Sequence, residues 1–143
     1  MPKYSFDYIG ITIPPSDPFP HGQTVFRPYL IANLTAGNGK TFRCIVWPDS
    51  GADHCVFPVS FAIALGLDPL TMKQQLTGGV GNTGNTTFYA DLQIDIENGP
   101  TFKTFCGFTP GLEAQGLGLL GQIGFFENFI VSFDHRNRMF HIE

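Results

Sequence analysis

The sequence is sparing in several residue types, and each shortage removes a class of function. Only three cysteines occur, Cys44, Cys55 and Cys106. An odd number with no CxxC pair gives neither a disulfide framework nor a metal-ligand spacing, and reads as reduced intracellular thiols. The 8 basic residues are scattered and outnumbered by 12 acidic ones, for a formal net charge of −4. Nucleic acid therefore finds no basic footprint, and a membrane surface no polybasic patch. No apolar run approaches the length of a membrane span. The opening MPKYSFDYIG lacks the apolar core of a secretory signal, so the expected location is cytoplasmic. The phosphate-binding GKS or GKT is missing, and Ser50 does not lie in a GxSxG elbow. No repeat, low-complexity tract or change of composition divides the chain.

What is present favours one β-rich domain. Apolar residues make up 43% of the 143, enough for a core, and 15 Phe, 17 Gly and 11 Pro point to strands and tight turns. Residues 1–22 hold four prolines within ITIPPSDPFP and read as an extended arm with one short strand at its start; residues 23–143 form the domain. TVFRPYLIANLTA reads as a strand, GNGK as a hairpin turn, and TFRCIVW as the returning strand. HCVFP is a further short strand, and Pro58 opens a short helix that stops at Gly66. A Gly-rich hairpin follows, with TFYADLQIDI as its long second arm. TFKTFCGFTP is another strand. A Gly-punctuated apolar strand and a second short helix occupy the stretch to Phe129, and a hairpin turning at DHRN closes the chain.

Two GxGxxG matches, Gly79–Gly84 and Gly116–Gly121, lie outside any βαβ unit and carry no nucleotide site. The four histidines are not arranged for a triad, and only His54 adjoins an acid of interest. That acid is Asp49. The apolar strand ending at Trp47 and Pro48 runs straight into Asp49-Ser50-Gly51-Ala52-Asp53. A turn would explain these residues; so would a catalytic carboxylate.

Order and spacing favour the second explanation. DSGAD is followed about 25–30 residues later by Gly78-Gly79-Val80-Gly81, and then by Leu119-Leu120-Gly121 ahead of a terminal hairpin. In this order the chain, from Arg27-Pro28-Tyr29-Leu30 almost to its end, resembles the retropepsin-like aspartic proteases. The resemblance implies an all-β acid-protease barrel with one or two short helices and one lobe per chain. It implies Asp49, Ser50 and Gly51 as catalytic residues, with the Ser50 hydroxyl bonding across the base of the site to a partner loop. It implies substrate contacts from Ala52, Asp53, a flap at Gly78, Gly79, Val80 and Gly81, and Ile123. No other aspartate is followed by Ser-Gly or Thr-Gly, so one chain supplies one catalytic carboxylate, and activity requires a twofold homodimer. The implied function is hydrolysis of extended or unfolded peptides, without metal or organic cofactor. Gln122 stands where many retroviral members carry Arg, and its amide is able to hydrogen-bond to Asp53. The alternatives are a peptide-binding or dimerisation module that keeps the fold but cuts little, and an unrelated β domain in which DSGAD is only a turn.

Overall fold

The computed structural model describes residues 3–77 and 85–143. The N-terminal arm carries two strands, β1 (Tyr4–Asp7) and β2 (Ile9–Ile13), where one was expected. β2 pairs antiparallel with β3 (Gln23–Arg27), and the proline-rich stretch is the connection between them. The strand expected over residues 24–36 is split: β3 stops at Arg27, and β4 (Leu30–Ala36) resumes after Pro28. Proline has no N–H to continue a ladder, which accounts for the break.

A barrel forms the body of the molecule. β4, β5 (Thr41–Pro48), β10 (Gly118–Leu120), β6 (Val56–Pro58), β9 (Thr101–Thr109) and β8 (Asn85–Ile96) follow one another as hydrogen-bonded neighbours, and β8 pairs back onto β4 to close the ring. β8 is long enough for two tasks. Its second half closes the barrel against β4, while its first half pairs antiparallel with β7 (Lys73–Thr77). The closed ring removes open edges from the body of the sheet.

Alternation along the strands builds the core. On β4, Leu30, Ala32, Leu34 and Ala36 point inward; on β5, Cys44, Val46 and Pro48 do so. Leu92, Ile94 and Ile96 of β8 join Phe102, Cys106 and Phe108 of β9. Each fully buried Phe or Leu contributes about 1.5–3 kcal/mol through loss of apolar surface from water. A single short helix, α1 (Val59–Ala64), follows Pro58 and covers the barrel with Phe61 and Ala62. The second expected helix does not form: Ile123 bridges to His54, and residues 124–128 are a run of turns. Gly124 there holds φ 96°, and a side chain at it would collide with Thr104.

The two ends of the chain meet in a separate sheet. β1 pairs antiparallel with β12 (Met139–Ile142), whose other edge pairs with β11 (Val131–Asp134). Phe6, Phe140 and Phe133 lie side by side across it, with ring centroids 5.3 and 6.0 Å apart.

Candidate active site

β5 delivers Asp49. Residues 47 and 49 share one face of the strand by its period of two, so Trp47 points the way Asp49 does while Val46 and Pro48 enter the core. Pro48 costs no ladder bond. The Asp49 N–H donates to Leu120 O at 2.9 Å, so the N–H of residue 48 would face the β4 side, where the ladder has already ended at the Leu30–Val46 pair.

β10 threads between the strands on either side of the Asp loop. It runs parallel to β5 and antiparallel to β6, so residues 49–55 arch over its end. The arch is bonded down at successive points. Gln122 N–H donates to Ala52 O at 2.8 Å and Ile123 N–H to Asp53 O at 2.9 Å. The Gln122 side-chain amide donates to Ser50 O at 2.8 Å, rather than to Asp53 as its position had suggested. Below, Gly121 N–H donates to the buried Cys55 Sγ at 3.4 Å. The glycine at 121 is obligatory: a Cβ would lie 2.2 Å from His54 O and 2.7 Å from Ala52 O, both backbone atoms. Gly118 is likewise pressed against the Phe57 ring, 2.3 Å from an added Cβ.

Asp49 is half-buried at the top of this arch. Its Oδ1 accepts the Gly51 N–H at 2.9 Å, and Ala52 N–H donates to its backbone O at 3.1 Å. Oδ2 has no protein partner among the described residues. The carboxylate is therefore fixed through one oxygen and free to act through the other. It borders a cavity of about 560 Å3 whose other walls include Arg27, Tyr29, Trp47, Leu117 and Leu119. Arg27 lies over the Trp47 ring at 5.3 Å and donates to the Tyr29 hydroxyl at 2.9 Å. Sequence reading gave none of these wall residues a role in the site. Strand period gave a signal for Trp47, and register pairs Leu119 with it.

On the other flank of the arch, His54 bridges to Ile123 and meets the Tyr89 ring edge-on at 5.9 Å. His54, Tyr89, Phe105 and Lys73 line a second hollow of about 220 Å3. Burial, and then the charge of Asp53, raise the Tyr89 hydroxyl pKa. Ser50 and Asp53 are exposed and Ala52 is half-buried, in the same loop as Asp49. Ile123 is 45% exposed and belongs to the His54 flank, away from the cavity beside Asp49. Gly78, Gly79, Val80 and Gly81 lie outside the described residues. The three cysteines are buried and unpaired. Among the described residues no group of three His, Cys, Asp or Glu side chains could hold a metal ion, and no helix is long and apolar enough to cross a membrane.

A solved structure of a retropepsin-like aspartic protease from Rickettsia conorii matches with a TM-score of 0.57 at 21% sequence identity, over 99% of this chain and 95% of that one. The fold is retropepsin-like. No protein-family model matches the chain, and no curated protein does. Among the described residues, Asp49 thus presents one hydrogen-bonded and one unbonded carboxylate oxygen beside a cavity walled by aromatic, aliphatic and Arg27 side chains.

Proposed function

We propose that the chain is an aspartic endopeptidase, active as a homodimer that brings Asp49 and its symmetry mate together. The observation that carries this reading is the state of Asp49: fixed by Gly51 through Oδ1, open at Oδ2, and bordering the cavity formed with Trp47 and Leu119. Two carboxylates in contact cannot both ionise cheaply, so the pair holds one proton between them. The ionised member takes a proton from a bridging water as its oxygen adds to the scissile carbonyl carbon. The protonated member gives its proton to the carbonyl oxygen. Collapse of the tetrahedral species breaks the C–N bond, and the amine leaves with a proton returned by the dyad. The pair titrates as a unit, so neither role belongs to one copy.

Ser50 and Gly51 serve the carboxylate. Gly51 turns the chain beneath it, and the Ser50 hydroxyl bonds to the partner's loop, keeping the two acids level. Substrate lies extended against the arch, with Ala52, Asp53 and Ile123 on one flank. Main-chain bonds of this kind select unfolded or flexible peptides.

Mass spectrometry of an unfolded-protein peptide mixture, incubated from mildly acidic to neutral pH, tests this reading. Cleavage by the wild type that vanishes in Asp49→Asn is the expected result. Equal cleavage by both proteins refutes the role of Asp49. Peptide binding without turnover in either assigns a binding module.

A further inference from the structure

We propose that Glu113 is a positioning residue for the cavity beside Asp49: its carboxylate latches the wall segment 110–117 to the start of α1, and so sets the room open to a substrate side chain. The proposal deepens the peptidase reading above and rests on it for the identity of the occupant. The β6–β9 ladder ends at the pair Pro58–Thr109. Beyond that rung the two strands part, β6 into α1 and β9 into the segment that leads to β10. Just past the rung, Ser60 N–H donates to Glu113 Oε1 at 2.8 Å and ties the two paths together again.

Each side of this bond needs the other. α1 brings no cap of its own: Pro58 offers no side-chain acceptor, and the first turn holds no acid. A helix leaves its first N–H groups without partners, and Glu113 meets one of them from 53 residues away. The acids of other turns bond within their own turn, Asp68 to Leu70 N–H, Asp134 to Asn137 N–H and Glu127 to Gly124 N–H; Glu113 leaves its own. The segment has little else to hold it. Among the described residues its remaining hydrogen bonds are local: Glu113 N–H to Pro110 O at 3.2 Å, Gly116 N–H to Leu112 O at 3.0 Å, and Gly111 N–H to Thr109 Oγ1 at 3.2 Å. Leu112 and Leu117 are half-buried, and the residues around them are exposed.

The same segment walls the cavity. Leu112, Gln115 and Leu117 border it together with Trp47, Leu119 and Asp49. Leu112 directly precedes Glu113, so the bond to Ser60 places a wall residue as it places the carboxylate. The segment is anchored before the bond by the rung at Thr109, and after it by Gly118, pressed against the Phe57 ring. Releasing Glu113 frees the stretch between these anchors, and the cavity loses its shape along that wall. The effect falls on how a side chain is held, not on the proton transfers at Asp49, so KM changes and kcat does not.

Glu113→Ala and Glu113→Gln test the latch in the full chain. The amide oxygen of Gln still accepts the Ser60 N–H, so Gln should rescue what Ala loses. Trp47 is the chain's single tryptophan and a wall of this cavity, so its fluorescence reports on the wall whether or not the protein cuts peptides. In Glu113→Ala the emission should move to longer wavelength as water gains access to Trp47, with the circular dichroism spectrum unchanged; Glu113→Gln should match the wild type. For peptides with a large apolar side chain next to the scissile bond, Glu113→Ala should raise KM roughly threefold to tenfold at constant kcat. Emission that stays at the wild-type value in Glu113→Ala overturns the latch, as does a Glu113→Gln that shifts as far as Ala. A cleaving protein whose KM is untouched by Glu113→Ala overturns the positioning role, whatever the emission. An emission shift rescued by Gln, in a protein that cuts no peptide, keeps the latch and removes the peptidase reading. Cleavage abolished by Asp49→Asn, with emission and KM untouched in Glu113→Ala, does the reverse.

Discussion

Two turn regions of this molecule both depend on glycine, and for opposite reasons. In the β4–β5 turn, an added Cβ at Gly37 or Gly39 would meet nothing within 4 Å; Gly39 answers only to its backbone, at φ 85°. Beneath Asp49, Gly118 and Gly121 answer to packing. A methyl group at either would enter a ring or the backbone carbonyls of the Asp loop. The first region is a surface connection that the chain could redraw at little cost. The second is a close approach of two backbone segments that fixes the height and angle of a carboxylate. The same residue type thus marks an open surface turn in one place and a tight backbone contact in the other.

The comparison is broken most severely by Gly121→Ala. The clash is with His54 and Ala52 carbonyl oxygens, which cannot rotate away, so destabilisation of about 3 kcal/mol or more is expected. Thermal unfolding should show a melting temperature lower by roughly 10 °C. A shift of a degree or two would mean that the arch is free to move.

The thiols in these regions give the next effect. Burial pushes Cys44 up to about 12. Burial also raises Cys55, to about 11, although the Gly121 N–H pulls in the opposite direction. For both, the folded protein holds the neutral thiol while the unfolded chain ionises near its ordinary value of 9. Stability is therefore full below pH 9 and falls as pH rises beyond it. By pH 10 the loss is about 1.4 kcal/mol for each thiol. Urea titrations at pH 8 and pH 10 measure it, and Cys44→Ala should remove one share of the difference.

Gln122→Ala sharpens the comparison further, since the amide ties Ser50 from an exposed position. Stability should change by under about 1 kcal/mol. Under the proposed function, kcat/KM should fall roughly tenfold to a hundredfold as Asp49 and Ser50 lose their setting. Equal loss of stability and activity would instead mark Gln122 as a fold residue. The smallest effect is expected for Gly37→Ala: within about 0.5 kcal/mol, and stabilising if anything, because only the unfolded chain loses freedom. Chemical denaturation of this variant beside Gly121→Ala reads both turn regions on one scale.

Much of the barrel was legible beforehand. The strands β5, β8 and β9, the GNGK turn and the terminal hairpin appear where their residues predicted them. The errors have two causes. The strand split at Pro28 is local, since proline has no N–H to continue the ladder. The missing helix after Gly121 lies where local pattern competes with distant partners: Ile123 bridges to His54, and Gly124 lies against Thr104. The cavity walls were overlooked for the same reason: Arg27, Tyr29, Trp47 and Leu119 come from separate segments, and only folding brings them beside Asp49.

The sequence by itself determined a β-rich chain, the acid at the end of an apolar strand, and the count of one such acid per chain. These are local properties, written in alternation, turn chemistry and motif order. Tertiary structure alone decided that β10 passes between β5 and β6, that Gly121 lies against the Asp loop, and that Gln122 reaches Ser50 instead of Asp53. Each depends on atoms distant in sequence meeting within a few ångströms. That is a matter of packing and hydrogen-bond parity, which no short stretch of residues encodes.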